Sequence, residues 1–497
     1  VVAAEIGGAF WAPDLAEGPA KLVLCPDGHA ACNGLLAEAL ASYAAADVLL
    51  LAEGLPERQR QRARRLGLEV VASPVNPWSV LRRARALWVT RDNDLATLGI
   101  LAGHAVRGTA ETADEISMRL LDARYGDPRT GATIDPDAAI DLLCEWRDIA
   151  KANQSIGCCI GISFWKRARI AAFLHDGTRP PAFVRSTDAA CAMPRPGIAG
   201  WNARLPPDLA ARAGGRLLRV EDGFIRSLGL GSGFLPPSSI VVDGRGIYYD
   251  PRQPSDLEHI LAHTAFSDAL CARATALIAR LNQLGITKYA TGGAAETITA
   301  PPGRNRILVP GQVADDLSVT LGGGTVRSNL ALLESVRNAN PTAWIVYKPH
   351  PDVEAGHRAG ALAVADLQRC ADQVVRGGAM SALIQQVDEV ATMTSLAGFE
   401  ALLRGRDVTV LGQPFYAGWG LTNDLHPLPR RQRRLSLAEL AAGALILYPR
   451  YLDPVSALPC GPELLLRRLE QPELWRPTRL MQLRALQGRM KKRLHVG

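Results

Sequence analysis

The stretch Ile345-Val-Tyr-Lys-Pro-His-Pro-Asp352 constrains the fold of this chain more than any other. Three β-prone apolar residues run directly into a cation, an imidazole and two prolines. The pattern predicts a buried strand that ends where Lys348 and His350 are presented. Neither proline can extend the strand into the loop. In an open α/β sheet, ligands sit beyond the carboxyl ends of the strands, which makes His350 a candidate ligand contact. On its own the run reads equally well as a Pro-rich turn carrying a surface histidine.

A second stretch changes that balance. In Thr392-Met-Thr-Ser-Leu-Ala-Gly-Phe-Glu-Ala-Leu-Leu-Arg-Gly405, a strand from Glu389 to Thr392 gives way to hydroxyl residues and then to a helix capped by Gly405. Thr394 and Ser395 fall at the helix N-cap, where free amides and the positive helix end are expected to face the sheet edge. Such a terminus binds phosphate. Glu400, one to two turns in, is placed to accept hydrogen bonds from ribose hydroxyls. A Thr-Ser pair before a helix is commonly only a cap, but beside a Lys-Pro-His-Pro strand end it makes half of a nucleotide site.

At 497 residues the chain is too long for one core, so two or three domains are expected. The nine cysteines show no Cys-x-x-Cys pair and no metal-ligand spacing, and they read as buried thiols of a reducing compartment. No run of apolar residues is long enough to span a bilayer and no signal peptide is visible. The sequence opens on Val1 instead of Met, which leaves open a segment upstream. The net charge of +7 is modest but uneven. From Trp475 to Gly497 there are seven Lys/Arg and no acid, interspersed with Leu and Met, a pattern that suits an anionic membrane surface or equally a solvated basic helix.

Residues 1 to about 110 alternate apolar runs (Lys21 to Cys25, Val48 to Leu51, Leu68 to Ala72, Ala86 to Thr90) with Ala/Leu/Arg helices, which predicts a parallel βα sheet. An internal repeat links this region to the later one. Arg124-Tyr-Gly-Asp-Pro returns as Arg450-Tyr-Leu-Asp-Pro. Upstream, Ser79, Leu81, Thr90, Leu101, Gly103 and Val106 match Ser381, Leu383, Thr392, Leu403, Gly405 and Val408. In the first copy Thr394-Ser395 has become Asp92-Asn93, Glu400 has become Leu98, and Gln413 to Gly420 has no counterpart. Lys348-Pro-His-Pro351 is matched to Cys25-Pro-Asp-Gly28. Residues 1–123 therefore read as a degenerate Rossmann-like half-module that keeps its strands and has lost its ligand residues.

Downstream, residues 124–300 form a first α/β domain. A strand from Ile156 to Ile162 leads into Ser163-Phe-Trp-Lys-Arg at a helix start. A later strand ends in Glu221-Asp222-Gly223, and the glycine-rich loop at 229–233 lacks the context of a dinucleotide fingerprint. Ile240 to Asp243 and Gly246 to Tyr249 are predicted to pair as a hairpin, and 291–304 reads as a linker. Residues 301–446 form a second such domain, with Asp315 and Asp316 in the loop after its first strand. Residues 447–497 complete the chain as helices and a basic tail. Two Rossmann-like domains with strand ends facing a cleft describe a GT-B glycosyltransferase, an α/β fold.

Six ordered motifs sharpen this. Glu221-Asp-Gly-Phe-Ile-Arg-Ser-Leu-Gly-Leu-Gly, Gly246-Ile-Tyr-Tyr-Asp-Pro, Val309-Pro-Gly-Gln-Val-x-Asp-Asp, Tyr347-Lys-Pro-His-Pro-Asp, Thr392-Met-Thr-Ser-Leu-x-Gly-Phe-Glu-Ala-Leu and Pro414-Phe-Tyr-Ala-Gly-Trp-Gly-Leu-Thr resemble the KpsC/LipA family of capsular polysaccharide β-Kdo transferases. The resemblance covers residues 124 to 470 and is closest to the C-terminal of that family's two tandem modules. It implies CMP-Kdo as donor, retention of anomeric configuration, and no cofactor or metal. Retention calls for two displacements and a carboxylate nucleophile. By motif position that residue is Asp316, with Asp222, helped by Glu221, as the general base. Lys348, His350, Thr394, Ser395, Glu400 and Gln312 would hold the CMP moiety. The implied partners are a lipid-linked Kdo oligosaccharide acceptor, an anionic membrane surface and other capsule biosynthesis and export proteins, with no nucleic acid. The implied location is the inner face of the bacterial inner membrane. Two other readings stand beside this one: a transferase of another CMP-nonulosonic acid, and a catalytically silent scaffold in a capsule-assembly complex.

Overall fold

Two parallel sheets and one mixed sheet carry the chain, and each is built around the short apolar runs that the sequence singles out. The structure, a computed structural model, describes residues 1–18, 20–225, 235–287 and 296–474. The glycine-rich loop at 229–233 and the basic tail from Trp475 lie outside the described residues, as do residues 291–295 of the segment read as a linker. The chain divides into two compact units, Val1–Ser155 with Leu174–Pro180, and Ile156–Phe173 with the rest from Pro181 onward. Residues 124–155 thus go with the first unit.

In the first unit, β1 (Leu22–Cys25), β2 (Val48–Leu51), β3 (Glu69–Val71), β4 (Ala86–Val89) and β5 (Ala105–Arg107) form a parallel sheet in the order β3-β2-β1-β4-β5. Side chains alternate between two cores. Val23, Leu49 and Leu87 face one, whereas Leu22, Leu24, Val48 and Leu50 face the other. Helices covering both faces explain why these strands read as continuous apolar runs. A hairpin of β6 (Tyr125–Gly126) and β7 (Thr133–Ile134) follows, then the helix Pro136–Asn153.

The second unit contains two sheets. The first is laid down by β8 (Ile156–Ile160), β9 (Ala182–Phe183), β10 (Gly197–Trp201), β11 (Leu217–Asp222) and β12 (Ser239–Asp243). The second contains β13 (Arg306–Pro310), β14 (Trp344–Lys348), β15 (Gln373–Val374), β16 (Glu389–Thr392), β17 (Asp407–Val410) and β18 (Asn423–Asp424), all parallel, in the order β15-β14-β13-β16-β17-β18. The chain then returns to the first sheet, where β19 (Pro449–Leu452) pairs antiparallel with β12 and β20 (Pro459–Cys460) closes the edge. One apolar core runs between the two sheets, with Phe224, Val241 and Leu257 against Leu308, Phe399 and Phe415.

The internal repeat is visible in the backbone. The order β3-β2-β1-β4-β5 matches β15-β14-β13-β16-β17 strand for strand. The two Arg-Tyr-x-Asp-Pro segments also use one device. Tyr125 Oη donates to the Leu120 carbonyl at 2.7 Å, and Tyr451 Oη donates to the Leu445 carbonyl at 2.6 Å. Each following Asp carboxylate accepts amides of the turn it opens, from Arg129 in the first copy and from Val455 and Ser456 in the second.

Two sequence-based expectations are corrected. Lys348-Pro-His-Pro351 follows β14, whose counterpart is β2, so it matches Leu51-Ala-Glu-Gly54. Cys25-Pro-Asp-Gly28 follows β1 and matches Pro310-Gly-Gln312; the shared proline after an apolar run misled the alignment. Nor do Gly246 to Tyr249 pair with β12 as a hairpin. The fully buried Asp243 carboxylate accepts the amides of Arg245, Gly246 and Asp256 at 2.8–3.1 Å and the Tyr448 hydroxyl at 2.8 Å. These bonds turn the chain away from the ladder, and β12 pairs with β19 instead.

Candidate functional site

In the second sheet of this unit the strand order reverses on either side of β13, and ligands of open α/β sheets bind in the crevice that such a reversal leaves. Three sequence-predicted groups come from the carboxyl ends that border it: Gln312 after β13, His350 after β14 and Thr394-Ser395 after β16.

His350 is an N-cap. Its Nδ1 accepts the Asp352 amide at 3.2 Å at the start of the helix Pro351–Glu354. With Nδ1 engaged as an acceptor, the neutral ring carries its proton on Nε2 and presents it as a donor. Burial pushes the imidazole pKa below its ordinary value, opposed by the negative charges of Asp352 and Asp316. Lys348 is 4 % exposed and donates from Nζ to the Gly377 carbonyl; burial pulls its pKa down as well.

Thr394 and Ser395 lead into the helix Leu396–Leu402, with Ser395 as N-cap. The amides expected to be free are engaged. The Thr394 N–H donates to Gln312 Oε1 at 3.0 Å, Ser395 N–H to Thr392 Oγ1 at 3.2 Å, and Ala397 N–H to Ser395 Oγ at 3.2 Å. Amides packed this close to the sheet must be paired, and nearby side chains pair them. Gln312, 7 % exposed, also donates from Nε2 to Thr394 Oγ1 at 2.9 Å. Its backbone is held on both sides by Asn329, at 2.9 and 2.8 Å. Glu400 is 8 % exposed, beside Tyr416 and Arg404.

Asp316 caps the helix Leu317–Gly322 from an exposed position, its Oδ1 accepting Ser318 N–H at 2.8 Å and Ser318 O–H at 2.7 Å. Thr394 Oγ1 donates to Ser318 Oγ at 3.3 Å. A chain of hydrogen bonds therefore runs from Asp316 through Ser318 and Thr394 to Gln312. Asp315 is spent on an ion pair with Arg358 at 2.9 Å.

Glu221 and Asp222 close β11 in the first sheet. Asp222 pairs with Lys166 at 3.4 Å, and its amide donates to Glu221 Oε1 at 3.1 Å. Tyr249 connects the two sheets electrostatically. Its hydroxyl accepts from Asn202 Nδ2 at 2.7 Å, and its pKa is driven up by burial first, then by the charge of Glu221 and, further down, of Asp316. Its carbonyl lies 3.5 Å from where a Cβ on Gly322, in the helix Asp316 caps, would stand. Phe224, just beyond Gly223, stacks on Phe415 at 4.6 Å and lies 6.1 Å from Phe399. The Glu-Asp-Gly strand end is thereby anchored to the other sheet.

Lys166, Tyr249, Ser318 and Phe224 were not singled out as site residues by the sequence. Lys166, Phe224 and Tyr249 lie inside stretches quoted above, beside the residues that drew attention. The Pro414-to-Gly420 loop serves packing: Tyr416 and Trp419 are at most 1 % exposed, and Tyr416 Oη donates to the Ser395 carbonyl at 2.5 Å. A side chain at Gly398 would collide with that hydroxyl, which is why the helix carries a glycine there.

In the first unit, Asn93 caps the helix Asp94–Leu101 as Ser395 caps its counterpart. Leu98, at the position of Glu400, packs with Ile6 and Phe10. Gly7, at φ +114°, passes so close that a Cβ there would stand 2.9 Å from Leu98 Cδ2. Asp27 pairs with Arg91 at 3.0 Å. Among the described residues of the whole chain, no cluster of three or more His, Cys, Asp or Glu side chains could hold a metal ion. No helix among them is long and apolar enough to cross a membrane.

Residues 204–451 match the family model described as capsule polysaccharide biosynthesis protein. The capsule polysaccharide modification protein LipA of Neisseria meningitidis serogroup A is 42% identical over 351 residues, 67% of this chain and 48% of LipA. The chain thus spans about half the length of that relative. Among solved structures, the Thermosulfurimonas dismutans KpsC β-Kdo 2,7 transferase is 34% identical with a TM-score of 0.53, covering 64% of this chain and 99% of its own. The β-Kdo 2,4 transferase of the same organism is 31% identical with a TM-score of 0.55, covering 63% and 97%. The two sheets of the second unit have the GT-B architecture of these glycosyltransferase neighbours. The chain belongs to the KpsC/LipA family of capsule polysaccharide biosynthesis proteins.

Proposed function

We propose that this chain is a retaining β-Kdo transferase that moves Kdo from CMP-Kdo to a lipid-linked Kdo acceptor in capsule biosynthesis. The observation that carries the reading is that Glu221-Asp222 close β11 at a strand end anchored through Phe224 to Phe399 and Phe415 of the other sheet, whose own strand ends carry Asp316, His350 and Ser395. Its solved neighbours, the Thermosulfurimonas dismutans KpsC β-Kdo 2,7 and 2,4 transferases, support the substrate class.

In the first step the Asp316 carboxylate attacks the anomeric carbon from the face opposite CMP, and the bond to the phosphate oxygen breaks. His350 Nε2–H and the Ser395 hydroxyl stabilise the leaving phosphate, with Lys348 adding positive charge behind them. In the second step an acceptor hydroxyl gives its proton to Asp222, its oxygen bonds to the anomeric carbon, and the ester to Asp316 breaks. Two inversions return the original configuration. Gln312 holds Thr394 in place, and Glu400 lies one to two turns further along the same helix. No metal or cofactor takes part. The basic tail from Trp475, with its Leu and Met residues, draws the enzyme to the anionic inner face of the membrane, where a lipid-linked acceptor and other capsule proteins are found. The first unit, its ligand residues replaced, does no chemistry.

The test is NMR analysis of the product from CMP-Kdo and a Kdo-primed acceptor. A new β-linked Kdo is expected. Turnover of CMP-sialic acid in place of CMP-Kdo, or no transfer from either donor, would overturn the reading.

A further inference from the structure

Lys166 arrives at the carboxyl edge of the first sheet on the short 3-10 turn Phe164–Lys166 that follows β8. Its ammonium is 3.3 Å from the centre of the Trp201 ring, 5.2 Å from that of Trp165 and 3.4 Å from Asp222 Oδ1, and the residue is 8 % exposed. Taking an ammonium out of water is costly unless it is paired. The ring faces and the carboxylate offset that cost, since a desolvated ammonium over indole gains most from the contact. Trp201 ends β10, the strand beside β11, and is itself 7 % exposed, so the cation rests on a rigid support.

Glu221 and Asp222 are adjacent carboxylates, and like charges so close tend to share a proton. The cation stands 3.4 Å from Asp222 Oδ1, and Glu221 Oε1 accepts the Asp222 amide. Among the described residues, the titratable groups brought to this edge include Lys166 from the turn after β8, Glu221 on the same strand as Asp222, Tyr249 from the segment after β12, and Asp316 from the loop after β13.

We propose that Lys166 is a positioning residue that keeps Asp222 ionised and oriented to receive the acceptor's proton. The inference rests on the reading of Asp222 as the general base. In that step the acceptor O–H bond breaks, the proton passes to Asp222, and the freed oxygen bonds to the anomeric carbon as the ester to Asp316 breaks. Lys166 keeps its own proton throughout. Its charge sets the pH above which Asp222 is competent.

The experiment compares wild type, Lys166→Met, Lys166→Arg and Asp222→Asn, using the full chain with CMP-Kdo and a Kdo-primed acceptor. The pH profile of kcat/KM for the acceptor is measured, with CMP affinity by calorimetry and the single-turnover release of CMP as controls. Lys166→Met is expected to move the acid limb up by about one pH unit, the lower end of what an adjacent opposite charge does to a carboxylate, and so to lower kcat/KM about tenfold on the acid side of that limb. Lys166→Arg should return most of that shift, and CMP affinity and the single-turnover release should stay unchanged. If Lys166→Met loses CMP binding, Lys166→Gln takes its place and must show the same shift. An acid limb that vanishes in Asp222→Asn but stays put in the uncharged Lys166 variants overturns the positioning role. An acid limb that persists in Asp222→Asn instead overturns the assignment of Asp222 as base, and the inference with it.

Discussion

Replacing Gln312 by Leu tests whether the phosphate end of the site is pre-built by the protein or made only by ligand. The two side chains are of similar size, so the change removes hydrogen bonds more than volume. The Gln312 amide donates to Thr394 Oγ1 at 2.9 Å and accepts Thr394 N–H at 3.0 Å and, more weakly, Thr392 O–H at 3.4 Å. Hydroxyls can rotate to another partner, but the Thr394 N–H cannot. A buried donor left unpaired costs about 1–3 kcal/mol and each lost hydrogen bond about 1 kcal/mol, so the expected loss is about 3 kcal/mol. Gln312→Glu keeps an acceptor for the amide and should lose about 1 kcal/mol, while its negative charge opposes a phosphate nearby. Urea unfolding monitored by tryptophan fluorescence gives the stabilities, and calorimetry gives the CMP affinities. Gln312→Leu should be clearly less stable than Gln312→Glu, with the order reversed for CMP binding. If Gln312→Leu is as stable as wild type yet no longer binds CMP, Gln312 is a direct ligand contact and the argument from its internal bonds fails.

Three further outcomes follow from the same geometry. The folded state holds His350 neutral by burial, so it binds fewer protons than the unfolded chain below the ordinary histidine value of 6.5; its share of stability, present above that pH, is lost as the pH falls through the lowered folded value. His350→Asn, which can still cap through its side-chain oxygen, should flatten that part of the pH–stability curve in thermal melts between neutral and acid pH, and an unchanged curve would remove His350 as the cause. Asp316→Ala should abolish transfer with CMP affinity nearly intact, and intact-mass analysis of a slowed variant should find the sugar adduct on a peptide containing Asp316; an adduct on Asp222 would reverse the two carboxylate roles. Asp92→Ala with Asp94→Ala should leave the transfer rate within a factor of about two, because surface changes away from a site are usually near neutral, and a large loss would show that the first unit takes part.

What the sequence by itself determined is what local periodicity and residue chemistry can encode. Val48–Leu51 and Glu389–Thr392 are strands within the expected bounds, Ser395 is the N-cap, and the repeat emerges as one strand order used twice. These follow from apolar runs, turn-forming prolines and capping hydroxyls a few residues apart. Tertiary structure alone decided which groups meet. Whether the Thr394 amide is free depends on Gln312, a residue far away in sequence that arrives through the parallel pairing of β13 with β16. The partner of Asp222 comes from the end of β8, across the intervening β10, and no spacing rule links Lys166 to it. The false match of Cys25-Pro-Asp-Gly28 to the Lys-Pro-His-Pro turn has the same origin. A proline after an apolar run marks the end of a strand, but only the order of strands in the sheet says which strand it is. Hydrogen-bond satisfaction and charge pairing are settled between elements that pack together, whereas the sequence pattern speaks for one element at a time.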